Sequence, residues 1–424
     1  MRKILLFIAF INIASFVNAQ SAYITHYGGC NNVSVIDCVS NTVTSTIPVG
    51  MITYGVSVSL DGRKVYVTGE NGVGENVVTV INTATNTISD TITIPAVMIC
   101  VSPNGRKVYV TDWNNGDSGT VSVINTATNT VSDTIAVGAG PWGVAVSPDV
   151  SKIYVGNLGQ YPSPGYGNTV SVIDSVTNTV TATIVVGTRP YGITVTPDGS
   201  KVYVANSNDN TVSVINAATN TVTATSTVGI QPYGMAVTPD GSKVYVTNYK
   251  ASGTVSVINT TTDNVVATIP VGIYPYGISV TPDGSKVYVA NSQDSTVSVI
   301  STATNTVLNT IHVGSEPWAF GNFISSYSQV IQDITTPCMV SAQIDLYPNP
   351  FTTNAILKLS PETVISNAVL SVYDISGRLV SSVNNIMSTD ININRGNLKN
   401  GLYYYTLTDN GTIITRGKFI IIEE

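Results

Sequence analysis

A chain of 424 residues is long enough for two or three domains with a buried core. Only 10% of its residues are charged, while Thr, Val, Asn and Ser dominate, a palette of strands and tight turns that argues against a disordered chain or a helical bundle. The net charge of -7, with no Lys/Arg cluster, gives no footprint for a nucleic-acid partner.

The first element in chain order is a secretory signal over residues 1–19. Arg2 and Lys3 precede an apolar run over 4–17, and Val17-Asn18-Ala19 supplies a small-residue cleavage site before Gln20. No Cys follows that site, so no lipid anchor is expected, and no later stretch of about 18 apolar residues predicts a transmembrane segment. Four cysteines are too few for a disulfide scaffold. Cys100 stands where other repeats carry Ala, Ser or Thr and reads as a buried free thiol. Cys30, Cys38 and Cys338 leave room for one bridge near the ends of the repeat region, with the pairing open.

Residues 20–325 are repetitive. Val-Tyr-Val and its variants place a tyrosine at Tyr23, Tyr66, Tyr109, Tyr154, Tyr203, Tyr245 and Tyr288, at separations of 43, 43, 45, 49, 42 and 43 residues. That period is one propeller blade. The copy at 201–238 shows the unit: Lys201-Val-Tyr-Val-Ala-Asn206, Thr211-Val-Ser-Val-Ile-Asn216, Thr221-Val-Thr-Ala-Thr225 and Tyr233-Gly-Met-Ala-Val-Thr238, four strands parted by turn residues. With the Tyr-Gly strand named A, the innermost, and the next three B, C and D, the A-to-B turn is Thr-Pro-Asp-Gly-Ser, as at 196–200, 238–242 and 281–285. The phase is decisive: the chain enters at strand B (22–26) and its last strand A (318–324) comes at the end, so that strand must complete the first blade and close a ring. Only the D strands remain as edges, expected to be short and Thr-rich.

Lys-Val-Tyr-Val-Ala-Asn, Thr-Val-Ser-Val-Ile-Asn, Thr-Ala-Thr-Asn-Thr-Val and Pro-Tyr-Gly-Ile-X-Val-Thr-Pro-Asp-Gly resemble the YVTN-type propeller repeats of surface-layer and other exported proteins. The resemblance implies an all-β, seven-bladed β-propeller over residues 21–325. It implies no particular activity.

Within the ring, the D-to-A and B-to-C loops share one face, the top, and the remaining turns share the bottom. The bottom turns are nearly uniform, whereas the B-to-C loops vary, and variable loops on a repeated scaffold are where binding specificity is expected. The longest, 158–167, carries Tyr161 and Tyr166 on a Pro/Gly-stiffened segment and reads as a ligand contact or as a bare insertion. The D-to-A loops bring an aromatic to the start of strand A at Tyr54, Trp142, Tyr191, Tyr233, Tyr276 and Trp318, while one copy has Ala96-Val97-Met98 instead. These rings form a broken circle around the channel mouth, able to stack on sugars or to pack neighbouring blades together. Arg189 and Glu316 precede two of them.

Catalytic raw material is poor. His26 ends a B strand and His312 ends a D strand, and both read as structural or surface residues. No Gly-X-Ser-X-Gly, His-Glu-X-X-His or Cys-X-X-Cys-His motif occurs, Asp61, Asp198, Asp240 and Asp283 belong to Asp-Gly turns, and 112–117 lacks the spacing of a calcium loop. No catalytic residue, metal site or cofactor is therefore assigned.

After a linker over 326–342 the composition changes. Residues 343–424 read as a small Ig-like antiparallel β-sandwich with turns at Tyr347-Pro348-Asn349-Pro350, Gly377-Arg378 and Gly401, the last followed by Tyr403. This order of motifs is similar to the C-terminal sorting domain of type IX secretion cargo. The resemblance implies export through the type IX machinery, with the product released or attached at the outer cell surface.

The expected function is that of a non-enzymatic binding, adhesion or surface-layer protein whose top face meets a glycan, a polymer or another surface protein. The alternative is a lactonase-like propeller hydrolase or lyase with its site at the top mouth of the channel. That reading needs Glu70, Glu75, Asp112, Asp117, Asp209 and Asp294 to converge.

Overall fold

The computed structural model describes residues 20–28, 30–71, 73–113, 118–160, 165–325, 345–359, 365–374, 379–409 and 412–423. The signal segment 1–19, Tyr161, Asp117, the linker with Cys338, and Gly377-Arg378 lie outside them. The chain divides into two compact units that part at Val330 and Ile331.

The first unit is a series of antiparallel sheets, one per repeat, six of them four-stranded and the first three-stranded. Blade 5 is representative: Pro190–Val195, Lys201–Asn206, Thr211–Asn216 and Thr221–Thr227 lie in sequence order as strands A to D. Strands B and C are buried on both faces, with Val202, Tyr203, Val204, Val212 and Val214 all at 0% exposure, because each blade is covered by a neighbour on either side. Strand D alternates towards solvent. At seven residues it outlasts its six-residue neighbours, so the expected shortness is absent, and exposed Thr hydroxyls rather than brevity protect the edge.

Blades are joined by a repeated polar contact. The lysine opening strand B donates its ammonium to a C-to-D turn carbonyl of the next blade: Lys64 to Thr126 (2.8 Å), Lys107 to Ser175 (2.9 Å), Lys152 to Ala217 (2.5 Å), Lys201 to Thr260 (2.6 Å), Lys243 to Thr302 (2.6 Å) and Lys286 to Cys38 (2.8 Å). The last of these runs from blade 7 back to blade 1. Blade 1 has Ser21 at the lysine position.

The ring closes through the segment expected as the last strand A, though it is not a continuous strand. It bridges strand B of blade 1 (Ser21–Thr25) at Ala22 with Ile324 and, one residue past it, His26 with Pro317, and the Tyr23 amide donates to the Phe323 carbonyl at 2.9 Å. Between those points Ala319 and Gly321 take φ of 43° and 122°, which turns the Phe320 and Asn322 carbonyls toward the amides of Val56 and Val58 in blade 2. The segment is therefore bonded to the blades on both sides. Cys30 and Cys38 are free thiols. Cys100 is a half-buried free thiol, pushed up to about 11 by desolvation.

The second unit packs a three-stranded sheet (Asp345–Tyr347, Asn354–Lys358, Asp390–Asn394) with a four-stranded one (Leu379–Ile386, Ala368–Tyr373, Gly401–Asp409, Thr412–Ile421). Leu357, Leu370, Leu407 and Phe419 form its core. Asn349 joins its motif to the final strand: its side chain accepts from the Ile420 amide (2.9 Å) and donates to the Lys418 carbonyl (3.3 Å). Tyr347 is exposed, Pro348 and Pro350 follow cis peptide bonds, and Tyr403 donates its hydroxyl to the Lys399 carbonyl just before Gly401. Arg395, which the motif reading passed over, donates to the carbonyls of Thr352 and Ile422 and to the Asn400 side chain.

Candidate functional site

Three local devices fix the aromatic at the head of strand A. First, the residue before Pro-Tyr-Gly or its equivalent is left-handed, with φ of 60° at Gly140, 56° at Arg189, 53° at Gln231, 51° at Tyr274 and 48° at Glu316. Its carbonyl accepts an amide from the fourth residue after the strand-B tyrosine, at 2.8 to 3.0 Å, from Leu158, Ser207, Tyr249, Ser292 and Tyr27 respectively. Second, the glycine after the aromatic lets adjacent A strands touch: a Cβ on Gly143, Gly192 or Gly277 would collide with the carbonyl oxygen of Tyr191, Tyr233 or Ala319. Third, a strand-B threonine reaches across to the aromatic's own carbonyl, as Thr111 does to Trp142 (3.0 Å), Thr247 to Tyr276 (2.8 Å) and Thr25 to Tyr54 (2.8 Å).

The rings so placed form one continuous arc. Centroid separations run 5.7 Å from Tyr54 to Tyr27, 4.6 Å to Trp318, 3.9 Å to Tyr276, 5.2 Å to Tyr233, 4.2 Å to Tyr191, 5.0 Å to Trp142 and 5.5 Å to Trp113. Phe320 fills the middle against Tyr191 and Tyr276. All six expected strand-A aromatics belong to the arc. Tyr27 and Trp113 were missed because they come from a different column, the fourth residue after the strand-B tyrosine, which also holds Leu158, Tyr249 and Glu70. Reading that column down the repeats would have found them. Trp113 belongs to the blade whose strand A carries no aromatic, so it makes good that gap.

Trp142, Tyr191, Tyr233 and Tyr276 are buried, and Tyr54 and Trp318 half-buried, so their rings pack on one another in the upper channel. Desolvation raises the phenols of Tyr191, Tyr233 and Tyr276 above the usual value and keeps them neutral. The indole N–H groups of Trp113, Trp142 and Trp318 are buried without a partner. Solvent meets the cluster at its margin, where Tyr27 is 42% exposed and stacked on Trp318, and Tyr166 is 48% exposed with the Arg189 guanidinium 5.1 Å from its ring centre.

The top-face acids are engaged locally. Glu70 accepts the Tyr54 hydroxyl (2.7 Å), Glu75 the Asn71 amide (2.9 Å), Asp209 the Thr188 amide (2.6 Å) and Asp294 the Ile273 amide (2.5 Å). Desolvation raises the Asp112 carboxyl, offset in part by a Thr120 hydrogen bond. No group of three or more His, Cys, Asp or Glu among the described residues is placed to hold a metal. His26 is fully buried and His312 exposed. Asp198 accepts the Thr196 hydroxyl (2.5 Å) and the Ser200 amide (3.0 Å) of its own turn, hydrogen bonds that hold its carboxyl below the usual range. An open cavity of about 480 Å³ lies at the opposite, bottom mouth, lined by Ser57, Cys100, Ile193, Met235, Ile278 and Asn322.

Residues 345–423 match the family described as Secretion system C-terminal sorting domain, and residues 161–240 and 198–286 match the YNCE-like beta-propeller family. The chain carries a secretion sorting domain behind a β-propeller. A sorting domain of this family hands its carrier to the type IX secretion machinery, which exports it to the cell surface or secretes it. No helix among the described residues is long and apolar enough to cross a membrane. The fold is similar to that of Kuenenia stuttgartiensis Hydrazine Synthase, at 20% identity and a TM-score of 0.58, over 70% of this chain and 99% of that one. It is similar also to a functionally unknown protein from Desulfotomaculum acetoxidans, at 17% identity and a TM-score of 0.58, over 72% of this chain and 100% of that one. At such identities the likeness concerns the propeller fold alone. Among curated proteins none matches the sequence.

Proposed function

We propose that this is a non-enzymatic binding and adhesion protein of the outer cell surface, which holds a glycan chain against the top face of its propeller. Residues 1–19 direct it across the inner membrane, 20–325 form the binding module, 326–342 link it, and 343–424 sort it. The observation that carries this reading is the aromatic arc with two solvent-facing rings at its margin, Tyr27 stacked on Trp318 and Tyr166 beside Arg189. Rigid, flat, half-wet rings are the surface on which sugar faces stack. Tyr54 and Trp318 touch Tyr27, and Tyr276, Tyr233, Tyr191 and Trp142 continue the arc from Trp318.

The test is a glycan array probed with the mature protein and with Tyr27→Ala and Tyr166→Ala. Retention of a defined glycan class by the wild type, weakened about tenfold by either substitution, is the expected result. Absence of any retained glycan overturns the reading.

A further inference from the structure

Arg189 has a property that packing does not require. Its backbone is left-handed, with φ of 56°, and is pinned on both sides: its amide donates to the Gly167 carbonyl (2.8 Å) and its carbonyl accepts from the Ser207 amide (3.0 Å). A glycine meets the same demand at Gly140, with no side chain to strain. Gln231, Tyr274 and Glu316 hold the same conformation at the equivalent positions, so the backbone is common to the repeat and what distinguishes Arg189 is its side chain.

That side chain is a half-buried cation left without a counter-charge. Its guanidinium lies 5.1 Å from the centre of the exposed Tyr166 ring and 5.9 Å from that of Tyr191. The ion pair among the described residues is Lys201 with Asp263, at the other face of the ring, and no carboxylate of a described residue pairs with Arg189. Asp209, on the same loop cluster, accepts the Thr188 amide instead. The strand-B lysines are likewise engaged at bottom turns, so in a chain of net charge -7 the upper rim holds a planar cation whose donors are open to a ligand. The guanidinium lies against the two tyrosine rings, and its planar fork suits a bidentate acceptor.

We propose that Arg189 is the anion-recognising residue of the top face, taking the carboxylate of an acidic polysaccharide whose adjacent ring rests on Tyr166. A sugar acid fits better than an acidic peptide. The surroundings of Arg189 are the flat rings of Tyr166 and Tyr191, the first of them exposed, which suit the faces of sugar rings. They are not the concave apolar pockets that peptide side chains need. The inference rests on the glycan-binding reading above and names the ligand class of that same face.

The experiment measures binding of the full mature protein to polygalacturonate, to the fully methyl-esterified form of that polymer, and to polyglutamate. The variants are Arg189→Gly, Arg189→Gln and Arg189→Lys. Glycine relieves the backbone, and glutamine occupies the equivalent left-handed position at Gln231, so both are expected to melt at or above the wild-type temperature. The wild type is expected to prefer the free acid to its ester at least tenfold. The Gly and Gln variants should lose that preference, and Lys should keep only part of it, having the charge without the fork. A wild type that binds acid and ester equally, or an Arg189→Gly or Arg189→Gln variant that folds and retains the preference, overturns the assignment while leaving the glycan reading intact. Tighter binding of polyglutamate than of polygalacturonate also overturns it, in favour of a protein partner. Binding of none of the glycans on the array or of these polymers overturns both.

Discussion

The strand-B tyrosines look interchangeable in the sequence, and the structure separates them. Tyr203, Tyr245 and Tyr288 donate their hydroxyls to Asp263 (2.5 Å), Asn305 (2.9 Å) and Asn41 (2.6 Å) on the C-to-D turn of the next blade. The hydroxyls of Tyr66, Tyr109 and Tyr154 are buried with no partner. Facing Tyr66, the Asn129 side chain is drawn to Lys64 (3.3 Å) and Asp90 (2.9 Å) instead. A buried hydroxyl without a partner carries its desolvation penalty uncompensated, whereas removing one half of a buried hydrogen bond strands the other half. Tyr66→Phe and Tyr154→Phe should therefore leave unfolding free energy unchanged or raise it by up to about 1 kcal/mol, while Tyr288→Phe lowers it by about 1 kcal/mol. Urea titrations of the three variants decide this, and equal losses in all three would refute it. The tyrosine column is legible in the sequence. Which hydroxyl finds its acceptor depends on how the turn residue of the next blade is otherwise engaged, and that residue lies far along the chain, as Asp263 does from Tyr203 (60 residues).

At the scale of the element, the closing segment depends on His26. This residue stands at the strand-B position held by Asn157, Asn206, Asn248 and Asn291 in other repeats. Its Nδ1 donates to the Ser315 carbonyl (3.0 Å), 289 residues away, and in the neutral ring its Nε2 is then left to accept from the Ser34 hydroxyl (2.8 Å). Desolvation lowers its pKa below the ordinary 6.5, only partly offset by the hydrogen bonds to Ser315 and Gly314. The unfolded chain thus takes up the proton first. Stability is full above about pH 6.5 and falls as pH drops from there through the depressed value. The melting temperature of the wild type should decline on acidification over that window. His26→Asn restores the repeat residue, whose amide in blade 5 donates to Thr211 and Ser213, and should flatten the decline. A slope unchanged in that variant would place the acid sensitivity elsewhere. The sequence puts His26 at the end of a strand. Its role is visible only when the end of the propeller returns to the beginning.

At the scale of the whole molecule, the second unit carries the sorting domain and the first is the propeller that it exports. Removing residues 343–424 takes away the sorting strands, including Gly401–Asp409 and Thr412–Ile421, and leaves the propeller's own closure untouched, since that is completed by Ser325 donating its amide to Ser21. In a host with the type IX machinery the truncated protein should accumulate in the periplasm as a folded propeller. Its appearance at the cell surface at the wild-type level, measured by fractionation and protease shaving, would contradict the sorting role.

The sequence by itself determined the blade, the number of blades, the closure by the last strand A and the sorting domain. These follow from local rules: alternation along strands, turn residues at fixed offsets, and the phase at which the repeat starts and stops. Tertiary structure alone decided how the centre is filled. Six A strands and the closing segment, from distant parts of the chain, converge there so closely that glycine is the residue that fits between neighbouring backbones, as at Gly192 and Gly277. That convergence sets Tyr27 and Trp113 into one arc with the strand-A aromatics, plugs the middle with Phe320, and leaves Arg189 at the rim beside Tyr166. Distances between residues hundreds of positions apart are set by the circumference of the ring, and no local pattern encodes them.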